Sequence, residues 1–359
     1  MSVYPRAVID LNAVRHNLAC VRRLAPHSKV MSVIKADAYG HGVKAIAGAL
    51  AGSDAFAVAR LGEGVALREA GFQQAIVLLE GVHSLAEMQT AARYQLAPVI
   101  HQSAHLPWLA ACQDVPFCWL MLETGMHRLG LPESAILDAL KLLEPAFHDK
   151  TGLMSHFANS DLTGDPRNQQ QLAVMTRLAE QTGLTVCMAN SAAVITFPES
   201  HTDWVRPGLM LYGISPFADK TGLELGLQPA MQLKSILIAT QMLNAGDEVG
   251  YGGEWTATQS CRMGVVSIGY GDGFSRHLSN SGQVLLRGKL LPVIGRVSMD
   301  TICILLDDCP EAEASDEVLL WGAAELAVEM QALRADTIPY ELTTVLAGRV
   351  DREYQHGKS

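Results

Sequence analysis

Residues 30–60 read VMSVIKADAYGHGVKAIAGALAGSDAFAVAR. The stretch opens on one short apolar run, 30–34, and closes on another, 55–59, and each is followed at once by a cation, Lys35 and Arg60. Apolar runs without polar alternation are the mark of strands covered on both faces. Six more follow at 75–79, 97–100, 117–122, 153–157, 185–189 and 205–211. Between them lie longer amphipathic stretches of helical period, such as 61–70, 85–94 and 169–181. An α/β chain of eight strand–helix units predicts a parallel (β/α)8 barrel of the TIM type. A doubly wound open sheet uses the same units and competes with it; eight of them favour the barrel.

Beyond Gln228 the helical period fades. Short strand-like runs at 233–240, 263–268, 283–286, 292–294, 301–306 and 317–320 are separated by Gly, Asn and Asp. The expectation is a barrel over 9–228 and a mostly β C-terminal domain over 229–359. No fixed-period repeat and no low-complexity tract interrupts either part.

Composition narrows the partners. Hydrophobic residues make up 49% of the 359, charged residues 18%, and the formal net charge is -10. No Lys/Arg block breaks the acidic balance, which argues against nucleic acid or an anionic membrane as partner. The N-terminus lacks the basic-then-apolar pattern of a secretory signal, and no apolar run reaches spanning length, so a cytoplasmic protein is expected. The seven cysteines, Cys20, Cys112, Cys118, Cys187, Cys261, Cys303 and Cys309, are scattered with no CxxC pair. Free buried thiols are expected rather than disulfides or zinc. His41, His101 and His127 have no metal-ligand spacing either, and no metal is expected.

In a barrel of this type the chemistry sits at the C-terminal ends of the strands. The residues just past the runs are Lys35, Arg60, Glu80, His101, 123–128, His156, Asn190, Ser191 and 206–212. A lysine at the end of a core strand is costly to desolvate. Alone it reads best as a rim lysine reaching water, unless its neighbours give it another task.

They do. VIKADAYGHG at 33–42 resembles the cofactor-lysine motif of alanine racemases, and VGYGG at 249–253 resembles that family's catalytic-tyrosine motif. TGMHRLG (124–130), SHFA (155–158), VRPGLMLYG (205–213), GYGDG (269–273) and GRVSMD (295–300) are similar to further motifs of the family, in the same order. The resemblance implies an isomerase that interconverts L- and D-alanine with pyridoxal phosphate (PLP), for cell-wall supply or for catabolism. Lys35 is then the lysine that carries the cofactor and one base, with Tyr251 the base on the opposite face. Racemisation needs a proton removed from one side of a planar carbon and returned from the other, so two opposed bases are the minimum. A free phenol is a poor match for a base at neutral pH; the resemblance supplies His156 beside it and Arg206 behind.

Arg206 is implied to face the cofactor's ring nitrogen. A guanidinium does not release its proton, so the ring nitrogen stays unprotonated and the ring is a weaker electron sink. That favours proton return over transamination. The phosphate is implied to meet Tyr39, Ser191, the Gly208 and Leu209 backbone and Tyr340. Arg128 and the Met299 backbone are implied to meet the substrate carboxylate, and Asp161, Tyr270, Arg276, Arg296 and Asp300 to line the entrance. The resemblance further implies a homodimer with shared sites, Tyr251 and Met299 coming from the partner, and residues 1–8 joining the β domain.

One position departs from the family. Many members carry a lysine, often carbamylated, seven residues before the arginine that matches Arg128; here it is Met121. An anion or another carboxylate, such as Glu123, is the expected substitute. Three other functions fit less well. A broad-specificity small amino-acid racemase would share cofactor and bases. A barrel-type PLP decarboxylase would profit from a protonated ring, which Arg206 opposes. A barrel-type PLP homeostasis protein lacks the second domain altogether.

Overall fold

The computed structural model describes residues 4–112, 114–143 and 147–355. Its contacts divide the chain into two compact units. One comprises Asn17–Ala38 and Val43–Leu211; the other comprises residues 4–16, Tyr39–Gly42 and 212–355. The first is narrower than the 9–228 span expected for the barrel.

The first unit holds a closed barrel of eight strands: Lys29–Val33, Ala55–Val58, Ala75–Leu78, Ala97–Ile100, Cys118–Met121, Thr151–Met154, Thr185–Cys187 and Trp204–Val205. Every neighbouring pair is parallel, and the last strand returns to the first through Lys29 and Val30 opposite Trp204 and Val205. Val30, Met31, Phe56, Ala57, Ile76, Val99, Leu120 and Leu153 have essentially no exposed surface, as expected of strands walled in on both sides. Helices take the positions the periodicity marked. Leu85–Arg93 starts on Ser84, whose hydroxyl accepts from Glu87 N–H at 3.2 Å, and Pro166–Thr182 starts on Asp165 with proline in its first turn.

One run is corrected. The apolar stretch 205–211 is not a long strand: pairing stops after Val205, and a short 3₁₀ turn follows at Leu209–Tyr212. Pro207 has no N–H to give a ladder, and Gly208 gives a strand nothing to pack. The break delivers backbone N–H groups to the barrel mouth instead.

The second unit is built on an eight-stranded sheet. Its long strand, Met231–Leu243, pairs antiparallel with Glu317–Trp321 over its first half and with Cys261–Val266 over its second, which closes six strands into a ring. Arg6–Asp10 pairs with the same long strand and, in parallel, with Asp351–Gln355. The first strand of the chain therefore belongs to the C-terminal sheet, as does the strand 351–355, which the sequence pattern did not mark. Trp321, Phe274, Leu233 and Ile304 are core residues here with no exposed surface.

Candidate active site

Lys35 follows the first barrel strand and is half-buried. Burial, then the charges of Arg206 and Arg128, lower its pKa, while Glu80 and Glu63 partly oppose them. An ammonium that gives up its proton more readily than a free lysine is what amine chemistry requires. The backbone just after it is unusual: Ala36, Asp37, Ala38 and Tyr39 all have positive φ, between 51° and 55°. Each non-glycine residue in this left-handed region costs roughly 1–2 kcal/mol. Glu63 meets part of that demand. Its carboxylate accepts from Ala36 N–H at 2.6 Å, Ala59 N–H at 2.8 Å and Arg60 N–H at 3.0 Å. Asp37 accepts from Val43 N–H at 2.8 Å and closes the other end.

Across the barrel mouth, Arg206 is only 6% exposed. Its Nη2 donates to Ser155 O at 2.8 Å and to His156 Nδ1 at 3.2 Å. A guanidinium only donates, so His156 Nδ1 holds a lone pair and the ring is the neutral tautomer with its proton on Nε2. Burial first, then Arg206, Arg128 and Lys35, push its pKa well below the ordinary imidazole range, in keeping with that tautomer. Arg206 Nε is buried with no acceptor among the described residues. Burial raises the Cys187 thiol pKa, and the adjacent Arg206 only partly offsets this. Gln171 braces the loop after the strand Thr151–Met154: Nε2 donates to His156 O at 3.0 Å and to Thr124 Oγ1 at 2.9 Å, and Oε1 accepts from Ala158 N–H at 2.9 Å.

Ser191 begins the helix Ser191–Thr196, and its Oγ accepts from both Gly208 N–H at 2.9 Å and Met210 N–H at 3.2 Å. Leu209 opens the 3₁₀ turn, whose first N–H groups have no partner within the turn. Two backbone donors thus converge on one hydroxyl oxygen, beside a turn start of the kind that suits an anion.

Arg128 is exposed on the loop after the strand Cys118–Met121. Glu123 is not its partner. The Glu123 carboxylate is taken by Gly125 N–H at 2.5 Å and His127 N–H at 2.9 Å. Burial would raise its pKa, and those backbone donors hold it below the usual carboxylate value. Met121 is buried, so nothing charged replaces the family's lysine at that position. Asp161 is exposed on the loop following His156.

The other expected residues lie in the second unit. Tyr39 and Tyr340 come together there, with ring centroids 5.7 Å apart, and Tyr212 packs on Tyr39 at 4.9 Å. Tyr251, Met299 and Tyr270 are 72%, 54% and 45% exposed. Arg296 pairs with Glu254, and Arg276 and Asp300 are exposed. Among the described residues no group of three or more His, Cys, Asp or Glu is placed to hold a metal ion.

A model of the alanine racemase N-terminal domain matches residues 9–216, and one of the C-terminal domain matches 230–354. The chain belongs to the alanine racemase family. An alanine racemase of Nitrosococcus oceani is 46% identical over 97% of this chain and 99% of that protein. The solved alanine racemase of Acinetobacter baumannii is 41% identical and superposes with a TM-score of 0.93 over 98% of this chain and 99% of that one. That of Bartonella henselae, solved with covalently bound pyridoxal phosphate, is 29% identical with a TM-score of 0.90 over 99% and 100%. Members of the family are PLP-dependent isomerases, and the barrel followed by a mostly β domain is their architecture.

Sequence reasoning missed Glu63 and Gln171. Glu63 had a signal, since it stands three residues after Arg60 at a helix start, where capping carboxylates collect. Gln171 had none: its partners come from two loops distant from it in sequence.

Proposed function

We propose that this chain interconverts L-alanine and D-alanine by a two-base mechanism with pyridoxal phosphate carried on Lys35. The observation that supports it most is the Lys35–Arg206–His156 arrangement at the barrel mouth. It joins an amine of lowered pKa to a buried guanidinium with a spare donor and an imidazole of fixed tautomer. The residue set fits the cofactor: an amine for its aldehyde, Ser191 with the Gly208 and Leu209 backbone for its phosphate, and Arg206 for its ring nitrogen; Tyr39 and Tyr340 are proposed as further phosphate ligands. When bound, the cofactor acidifies the α-hydrogen of the amino acid joined to it. The protein's own groups do the rest. Lys35 Nζ exchanges a proton on one face of the α-carbon, and the Tyr251 phenol exchanges one on the other. His156, able to donate from Nε2, supports the phenolate. Arg206 keeps a donor, and no proton to release, at the ring nitrogen.

Arg128 and Met299 N–H receive the substrate carboxylate; Asp161, Tyr270, Arg276, Arg296 and Asp300 border the entrance. The chain acts as a homodimer in which Tyr251 and Met299 complete the partner's barrel site. The relatives described above are all named alanine racemases, which favours alanine over a broad substrate set. Among the described residues no helix is long and apolar enough to cross a membrane; a cytoplasmic location is part of the proposal. The test is direct. Purified protein supplied with pyridoxal phosphate should turn L-alanine into D-alanine and show the absorption of lysine-bound cofactor, and Lys35→Ala should lose both. Absence of D-alanine from the unaltered protein would overturn the reading.

A further inference from the structure

The two loops that carry Tyr270 and Met299 are fastened by an arginine that belongs to none of the family motifs quoted above. Arg349 follows the helix Pro339–Thr344. Its Nε meets Asp272 Oδ1 at 2.6 Å and its Nη2 meets Asp300 Oδ1 at 2.7 Å, with Met299 O 3.5 Å from the same nitrogen. Asp272 is 3% exposed and gives its second oxygen to Gly269 N–H at 2.9 Å. Tyr270 N–H donates to Ser298 O at 3.0 Å, and Gly271 N–H donates to Met299 O at 2.8 Å. A Cβ at Gly269 would stand 2.2 Å from Ser298 O, and one at Gly271 would stand 2.5 Å from Arg349 Nη2. Glycine is therefore needed at 269 for the loops to approach this closely, and at 271 a side chain would push the Arg349 guanidinium aside.

The peptide groups on both sides of Met299 are thus held through their carbonyl oxygens. Met299 N–H itself donates to no group among the described residues. A donor polarising Ser298 O also strengthens that N–H, because both belong to one peptide unit. The charges matter as much as the bonds. Asp272 and Asp300 bring two carboxylates to the loops that carry Tyr270 and Met299, and Arg349 is the cation paired with both.

We propose that Arg349 is a positioning residue for the substrate carboxylate. It fixes the Met299 peptide so that its N–H faces outward, and it neutralises two carboxylates that would otherwise repel an anionic ligand. This rests on the reading above that Met299 N–H receives the carboxylate of alanine.

Arg349→Met and Arg349→Lys test it in the holoenzyme, with propionate as a non-reacting carboxylate probe. Arg349→Met should raise both KM for L-alanine and the propionate inhibition constant by about tenfold, with kcat changed less than about threefold, the scale of one lost charge-assisted contact. Arg349→Lys should recover most of both, since it restores the charge but not the fork. Adding Asp300→Asn to Arg349→Met should also recover part of the binding, because it removes repulsion without restoring the clamp. The absorption of lysine-bound cofactor should be unchanged throughout. If kcat fell while KM and propionate inhibition stayed put, or if neither Lys nor the Asn second change brought binding back, the proposal would be overturned. Should Arg349→Met fail to fold, Arg349→Lys alone should still weaken propionate more than it lowers kcat, and the reverse order overturns it. Wild-type protein that racemises alanine but ignores propionate would instead defeat the Met299 reading on which it rests.

Discussion

Two regions carry the candidate residues, and they differ in how complete each is. At the barrel mouth the polar groups answer one another: Arg206 holds His156 and the Ser155 carbonyl, Ser191 collects two N–H groups, and Glu63 collects three. On the second unit Tyr251, Tyr270 and Met299 are exposed, and the Met299 N–H has no acceptor among the described residues. Even there some groups are tied down: Arg349 pairs with Asp272 and Asp300, and Asp272 also accepts from Gly269 N–H. Aromatic and apolar side chains left this exposed are in keeping with a surface that another body completes. The contrast supports the proposed dimer: one region built to hold a cofactor within its own chain, the other built to be presented.

The largest expected effect tests that division. Tyr251→Phe removes one of the two proposed bases and should lower kcat by roughly 10²–10⁴-fold, the range for a positioned acid–base group. Lys35→Ala and Tyr251→Phe should each be nearly inactive alone. In co-assembled mixtures roughly half the dimers are hybrids with one intact site of two, so about a quarter of wild-type activity should return. A mixture that stays inactive, with hybrid dimers confirmed by mass, would mean that both bases act within one chain.

The barrel was legible because strands covered on both faces leave a plain signature: 30–34 and 55–59 differ from the structure by a residue or so at either end. The run 205–211 was misread because apolar content alone does not show that Pro207 and Gly208 break the ladder. The strand ends marked several candidate site residues, but their expected roles came only through motif order. Glu63 and Arg349 were not singled out because what they do is gather groups distant in sequence: Glu63 reaches Ala36, and Arg349 reaches Asp272 and Asp300.

Glu63 gives a middle-sized test of the barrel side. Glu63→Ala strips the acceptor from three backbone N–H groups, one of them at the left-handed turn after Lys35. Partial solvent access limits the cost, so a loss of about 1–2 kcal/mol in unfolding free energy is expected, with Glu63→Gln losing about half as much. Denaturant midpoints measure both, and equal losses for Ala and Gln would show that acceptor geometry is not what matters there.

The smallest effect concerns pH and separates the barrel's fixed imidazole from an ordinary surface one. His156 has a folded pKa well below 6.5, because of burial first and then the charges of Arg206, Arg128 and Lys35. Above that range the ring is neutral in both the folded and unfolded chain and adds no pH dependence. As pH falls through about 6.5 the unfolded chain takes up a proton that the folded chain refuses, so stability declines by up to about 1.4 kcal/mol per pH unit from this group alone. His156→Gln keeps an acceptor for Arg206 and removes the titration. Unfolding free energies compared at pH 5.5 and 7.5, both set by the experimenter, should therefore fall less steeply toward acid in the variant. Parallel declines would mean that His156 takes up its proton in the folded state as readily as a free imidazole. In that case the Arg206 hydrogen bond does not hold Nδ1 unprotonated, and the phenol of Tyr251 would meet a cation rather than a neutral donor.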